Sequence, residues 1–176
     1  MLNTKKKNVI LWLVRISLTL ACIAIVCFIF SNSLKNATQS GAQSSQVAED
    51  VKNVIETVKP DISFGGSSKE EDFSILHKYV RKLAHFAEFA LLSAFCTWCV
   101  RSYTKTKPFF LIPVPLCVGV AFLDEFLQTL SDGRNCQLMD VLIDSLGSCA
   151  GFIFAICTLL IFSAWLTKRK INRGKF

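Results

Sequence analysis

Apolar residues in this chain gather into four runs, and every run after the first carries ionisable residues crowded at one end. The runs cover residues 8–30, 83–100, 109–130 and 141–166. A hydrocarbon core of about 30 Å is crossed by about 20 mostly apolar residues in a helix. The pattern therefore predicts an all-α, polytopic membrane protein with four transmembrane helices. The stretch 31–82 between the first two runs has a different character. Val47, Val51, Val54, Ile55 and Val58 recur there at helical spacing, with Glu49, Asp50, Lys52 and Glu56 opposite. That spacing predicts a short amphipathic helix over 45–59, closed by Pro60. Gly65, Gly66, Ser67 and Ser68 form a break, and Ser68 with Glu71 has capping-box spacing. A new helix is expected to start at Ser68 and to run directly into the second apolar run.

Composition sharpens the membrane assignment. Hydrophobic residues make up 52% of 176 positions and mean hydropathy is +0.43, which excludes an ordinary soluble domain. Lys5, Lys6 and Lys7 precede the first run as they would in a signal peptide. The run is longer than an h-region of about 7–15 residues, and no clear small-x-small cleavage site closes it, so an uncleaved helix is expected. The Leu20-Ala21-Cys22 step resembles a lipoprotein cleavage site only in part, and the apolar run continues past it. Arg15 lies close enough to the start of the run to snorkel to the interface.

Charge sets the orientation. The segment 1–7, the link that holds Arg101, Lys105 and Lys107, and the tail 167–176 are basic and contain no Asp or Glu. All three are expected on the cytoplasmic side, giving N-in/C-in topology with 31–82 as an extracytoplasmic loop. The net charge of +7 is then a set of positive-inside anchors beside an anionic leaflet, and nucleic acid is not an expected partner. Seven of the eight cysteines fall in apolar runs, where cysteine behaves as a small hydrophobe. Cys96 and Cys99 spell CxxC without a second pair, and Cys136 is alone outside, so neither a disulfide scaffold nor a zinc or redox site is expected.

The polar residues inside the runs carry the candidate chemistry. Arg81, His85 and Glu88 are spaced i, i+4, i+7 and share a helix face. Asp124 and Gln128 share another, with Glu125 about 100° round. Asp140, Asp144, Gly147 and Gly151 stripe the last helix. With each run placed across the membrane, these groups reach one layer near the outer surface. Some have plain structural readings. Lys82 suits an interfacial anchor, Asp140 an N-terminal carboxylate in the helix dipole, and Gly147 with Gly151 a GxxxG packing face. His85, Glu88, Asp124, Glu125 and Asp144 need partners in lipid and form either an ion-pair network or a functional pocket, the pocket being favoured. HxxE on one helix is too short to specify a metal and His77 lies outside the group, so no metal ligand and no cofactor is assigned.

The same residues resemble a family. Arg81-Lys82-Leu83-Ala84-His85-Phe86-Ala87-Glu88-Phe89 is similar to the RKxAHFxEY signature of VanZ-like membrane proteins. Asp124-Glu125-Phe126-Leu127-Gln128 matches their DExxQ, and Gly133-Arg134 with Asp140, Asp144 and Gly147 matches their GR…DxxxD…G ending. Phe89 stands where the family has tyrosine and offers no hydroxyl for a proton relay. Ser31 and Ser33 sit at a serine-rich step of the family after the first helix. The resemblance covers 73–154 and implies a multi-pass protein of the bacterial cytoplasmic membrane. The founding member is associated with low-level teicoplanin resistance.

Three functions stand at this point. The first is a non-enzymatic envelope protein that binds a lipid-linked cell-wall precursor, a lipoglycopeptide or another amphiphile at its outer mouth, among membrane lipids. Arg81, Lys82 and Arg134 would hold phosphate or carboxylate, with Glu88, Asp124, Glu125, Gln128, Asp140 and Asp144 orienting them. The second is a membrane enzyme acting on a lipid substrate through His85, Glu88 and Asp124, with His85 as general base oriented by Glu88, or with His85, Glu88, Asp124 and Asp144 around a divalent metal. The third is a small transporter, which would need a homo-oligomer because no polar path crosses a single chain.

Overall fold

Ser68 accepts a hydrogen bond from the Glu71 backbone N–H at 3.2 Å and caps the helix that follows it. From that cap helix α3, Lys69–Tyr103, continues without a break into the second apolar run. Glu70, Glu71 and Asp72 in its first turn complement the helix dipole. The structure, a computed structural model, describes residues 4–35, 37–58, 68–104, 111–131 and 137–173. Pro60, Gly65, Gly66, Ser67, Lys105, Lys107, Gly133, Arg134, Cys136 and Lys175 lie outside the described residues.

The described residues form five helices: α1, Thr4–Ser33; α2, Ala37–Val58; α3; α4, Pro113–Thr129; and α5, Leu138–Arg173. No strand occurs among them. Three helices, α1, α3 and α5, are long and apolar enough to cross a membrane. The third apolar run, 109–130, holds α4, whose 17 residues rise about 26 Å. Pro113 starts that helix at its first turn, where a missing N–H costs nothing.

Helix α3 touches every other helix. Around it α1, α4 and α5 complete a four-helix arrangement, with α1 against α3 and α4, and α5 against α3 and α4. Contacts fix the directions. Arg15 Nε donates to the Ser102 carbonyl at 3.0 Å while Asn32 reaches Glu88, so α1 and α3 are antiparallel. Gly147 meets Phe86, Gly151 meets Ala90, and Thr158 meets Trp98, so α3 and α5 are parallel. A Cβ at Gly147 or Gly151 would collide with the carbonyl oxygen of Phe86 or Ala90, which is why the two helices approach so closely there. The GxxxG stripe serves packing, as its sequence suggests.

Arg15 has a more specific role than an anchor. It holds a carbonyl in the last turns of α3 and lies over the rings of Trp12 and Tyr103, at 5.4 and 5.1 Å. At the opposite end, α2 lies along the first turns of α3. Ser44 Oγ is 2.6 Å from His77 Nε2, Lys52 lies over the Phe73 ring, and Ala48 and Leu76 are buried between the helices. The helix begins at Ala37, earlier than the apolar spacing alone predicts, and its contacts with α3 run through Ser44, Ala48 and Lys52.

Candidate functional site

The end of the bundle where α1 finishes and α5 begins holds every buried carboxylate among the described residues. Asp124 and Asp144 are 0% exposed, and Glu125, Gln128 and Ser33 are 1% exposed. Phe122, Leu123 and Phe126 on α4 are exposed on the outside of the bundle, while Asp124, Glu125 and Gln128 are buried.

Asp124 is the most heavily bonded of these groups. The Ser33 hydroxyl donates to its Oδ1 and Gln128 Nε2 donates to its Oδ2 at 2.9 Å. Gln128 turns its carbonyl oxygen toward Arg81, whose Nη2 donates to it at 3.5 Å. Ser131 Oγ donates to the Ser33 carbonyl at 2.9 Å and ties the end of α4 to the end of α1. One network thus runs from Arg81 on α3 through α4 to α1.

Asp144 is arranged differently. Its two carboxylate oxygens are buried and accept no hydrogen bond among the described residues. His85 lies beside it, with Nδ1 at 3.8 Å from Oδ1, and the two form an ion pair only when the imidazole is protonated. His85, Asp124 and Asp144 each present one ligand atom, and these atoms lie within 4.8 Å of one another. Three helices contribute one residue each. The HxxE pair on α3 has no such geometry. Glu88 faces α1, where Asn32 Nδ2 donates to its Oε1 at 3.3 Å and Lys35 Nζ donates to Asn32 Oδ1 at 2.8 Å. Glu125 turns to the start of α5 and accepts from the Gln137 backbone N–H at 2.9 Å.

Two clefts reach this layer, and both are lined by Arg81 and His85. The first, of about 340 Å³, lies between α1, α2 and α3 and includes Asn32, Lys35, Ser44 and Glu88. The second, also about 340 Å³, lies between α3 and α5 and adds Lys78, Lys82, Gln137 and Asp140. Farther along the bundle Ile29, Phe89, Leu92, Cys96, Cys117, Ala121 and Val141 pack into an apolar cluster.

A sequence model of the VanZ/LLP1 family matches residues 18–162. The chain belongs to the VanZ/LLP1 family. The match reaches well before the residues whose motifs resemble the family, and it takes in the second half of α1. No curated protein matches the chain, and no solved structure does.

In this VanZ/LLP1 chain the structure brings Arg81, His85, Asp124, Gln128 and Asp144 into one cluster. Glu88, Glu125 and Asp140 stand at its borders, and Arg134 lies outside the described residues. Asn32, Ser33, Lys35 and Ser131 belong to the site, yet the pattern of polar residues within the apolar runs assigns none of them. Their signal is the polar step that closes the first apolar run. It is easily passed over because α1 reads as an anchor.

Proposed function

We propose that this VanZ/LLP1 protein spans the bacterial cytoplasmic membrane four times, with both termini inside, and binds the anionic headgroup of an amphiphilic envelope molecule at its outer end. The observation that carries the reading is the cleft between α3 and α5, where Lys78, Arg81 and Lys82 gather beside His85 and Asp140. Three cations around a space of about 340 Å³ suit a phosphate or carboxylate on a lipid tail. Arg81 would read the headgroup while Gln128 holds its guanidinium from behind. The tail would lie in the bilayer along α3 and α5, and α2 would cover the neighbouring cleft. The headgroups of lipid-linked wall precursors have this chemistry, and sequestering one would alter how a membrane-inserting glycopeptide such as teicoplanin acts.

A second reading, an enzyme acting on the same headgroup, is favoured by the convergence of His85, Asp124 and Asp144. In that case His85 and Asp124 would face the reacting group. Glu88, engaged by Asn32, would only border it.

Titration of the protein in nanodiscs with a polyprenyl phosphate, a fatty acid and a neutral polyprenol tests the binding reading. Saturable binding of the phosphate or the acid, and none of the alcohol, is expected. Equal binding of all three would show that only the tail is recognised. Turnover of the phosphate ester by wild-type protein, lost in His85→Gln, would establish the second reading instead.

A further inference from the structure

We propose that His85, Asp124 and Asp144 form a binding site for one divalent transition-metal ion of the Zn²⁺ or Mn²⁺ class. The proposal stands on the three side chains and does not depend on the identity of the headgroup.

Geometry comes first. One ligand atom from each residue lies within 4.8 Å of the other two. An ion bonded to imidazole nitrogen and carboxylate oxygen at about 2.0–2.2 Å draws such atoms together by rotamer adjustments of about 1 Å. The residues come from α3, α4 and α5, so the site exists only in the folded bundle.

Asp144 supplies the independent observation. Its carboxylate is 0% exposed and neither oxygen accepts a hydrogen bond among the described residues. No Lys or Arg among the described residues pairs with it or with Asp124. Two carboxylates this close in a low-dielectric interior require a compensating charge. The unused oxygens of Asp144 face the imidazole and the Asp124 carboxylate. A divalent cation at that point neutralises both carboxylates and supplies the partner that Asp144 lacks.

The surroundings are those of a ligand shell. Metal-bound carboxylates are characteristically held by outer hydrogen bonds. Asp124 has two, from Ser33 and Gln128, and Gln128 is held in turn by Arg81. The donor set of one imidazole and two carboxylates favours borderline ions over Ca²⁺, which takes only oxygen. Three protein ligands leave further positions open, as in sites where an ion also binds an outside ligand. His85 borders both clefts, so those positions are reachable from outside.

Wild-type protein, purified in detergent and stripped with a chelator, would be titrated with Zn²⁺ and with Mn²⁺ while bound metal is measured by elemental analysis. One equivalent is expected, with affinity at least about tenfold weaker in Asp144→Asn and His85→Gln and unchanged in Trp98→Phe, farther along the α3–α5 seam. Folded wild-type protein that binds no equivalent of either ion would overturn the proposal. So would an unchanged affinity in folded Asp144→Asn, which would mean that the carboxylates share a proton and any ion binds elsewhere. If the variants fail to fold, the Mn²⁺ resonance of His77→Gln protein labelled with ¹⁵N-histidine decides. His85 is then the sole imidazole. Nitrogen coupling supports the site, and its absence overturns it.

Discussion

Ser33, in the last turn of α1, donates its hydroxyl to the carboxylate of Asp124 on α4 across 91 residues of sequence. Both side chains are buried. The bond joins a helix that reads as an anchor to the centre of the polar cluster. Removing it leaves a carboxylate with one donor fewer in a medium where water cannot replace it. Ser33→Ala is expected to lower stability by about 1–2 kcal/mol, and Ser33→Thr by less. Thermal unfolding in detergent measures this. Equal melting of Ser33→Ala and wild type would mean that α1 does not support the site.

The two glycines of α5 and the glycine of α4 offer an internal comparison. A methyl at Gly147 or Gly151 meets backbone carbonyls of α3, which cannot move aside as a side chain can. Gly147→Ala and Gly151→Ala should each cost about 1–3 kcal/mol through forced separation of α3 and α5. A methyl at Gly119 would meet nothing within 4 Å. Gly119→Ala should therefore be neutral or stabilise by up to about 1 kcal/mol. Urea or thermal denaturation of the three variants side by side gives the ranking. If Gly119→Ala proves the most damaging, the close α3–α5 seam is wrong.

Topology can be read with reporters. The alternating helix directions put the start of α1 and the end of α5 at one end of the bundle. With basic residues at that end, alkaline phosphatase fused after Val58 should be active and a green fluorescent protein at the C-terminus should fluoresce. An inactive phosphatase together with a dark C-terminal fusion would reverse the orientation and place the basic cleft inside.

Much of the fold was legible because a bilayer constrains sequence so strongly. The apolar runs gave the helices, Ser68 with Glu71 gave the start of α3, and Gly147 with Gly151 gave the close seam. Arg15 illustrates what periodicity misses. Its partner is a main-chain carbonyl 87 residues away, which no local pattern encodes. The extent of α2 also exceeds its apolar pattern, in a polar segment with little helical signal of its own that meets α3 through Ser44 and Ala48.

The site was legible by depth but not by pairing. Helical spacing put Asp124 and Gln128 on one face, and the structure bonds them to each other. His85 and Glu88 also share a face by spacing, yet one turns to Asp144 and the other to Asn32. The sequence offers His85, Glu88, Asp124 and Asp144 together as possible ligands of a divalent metal; the fold brings His85, Asp124 and Asp144 within reach of one another and turns Glu88 to Asn32.

Arg81 links the basic cleft to the buried network, lining the one and bonding Gln128 in the other. The central claim is that these are parts of a single headgroup site. It is tested most directly by the affinity of Arg81→Gln for polyprenyl phosphate in nanodiscs. Trp98→Phe serves as the control, because Trp98 contacts Thr158, Phe95 and Phe154 farther along the α3–α5 seam and lines neither cleft. The account predicts at least about tenfold weaker binding in Arg81→Gln, the loss of one charge-assisted contact, and wild-type binding in Trp98→Phe. Wild-type affinity in folded Arg81→Gln would contradict it.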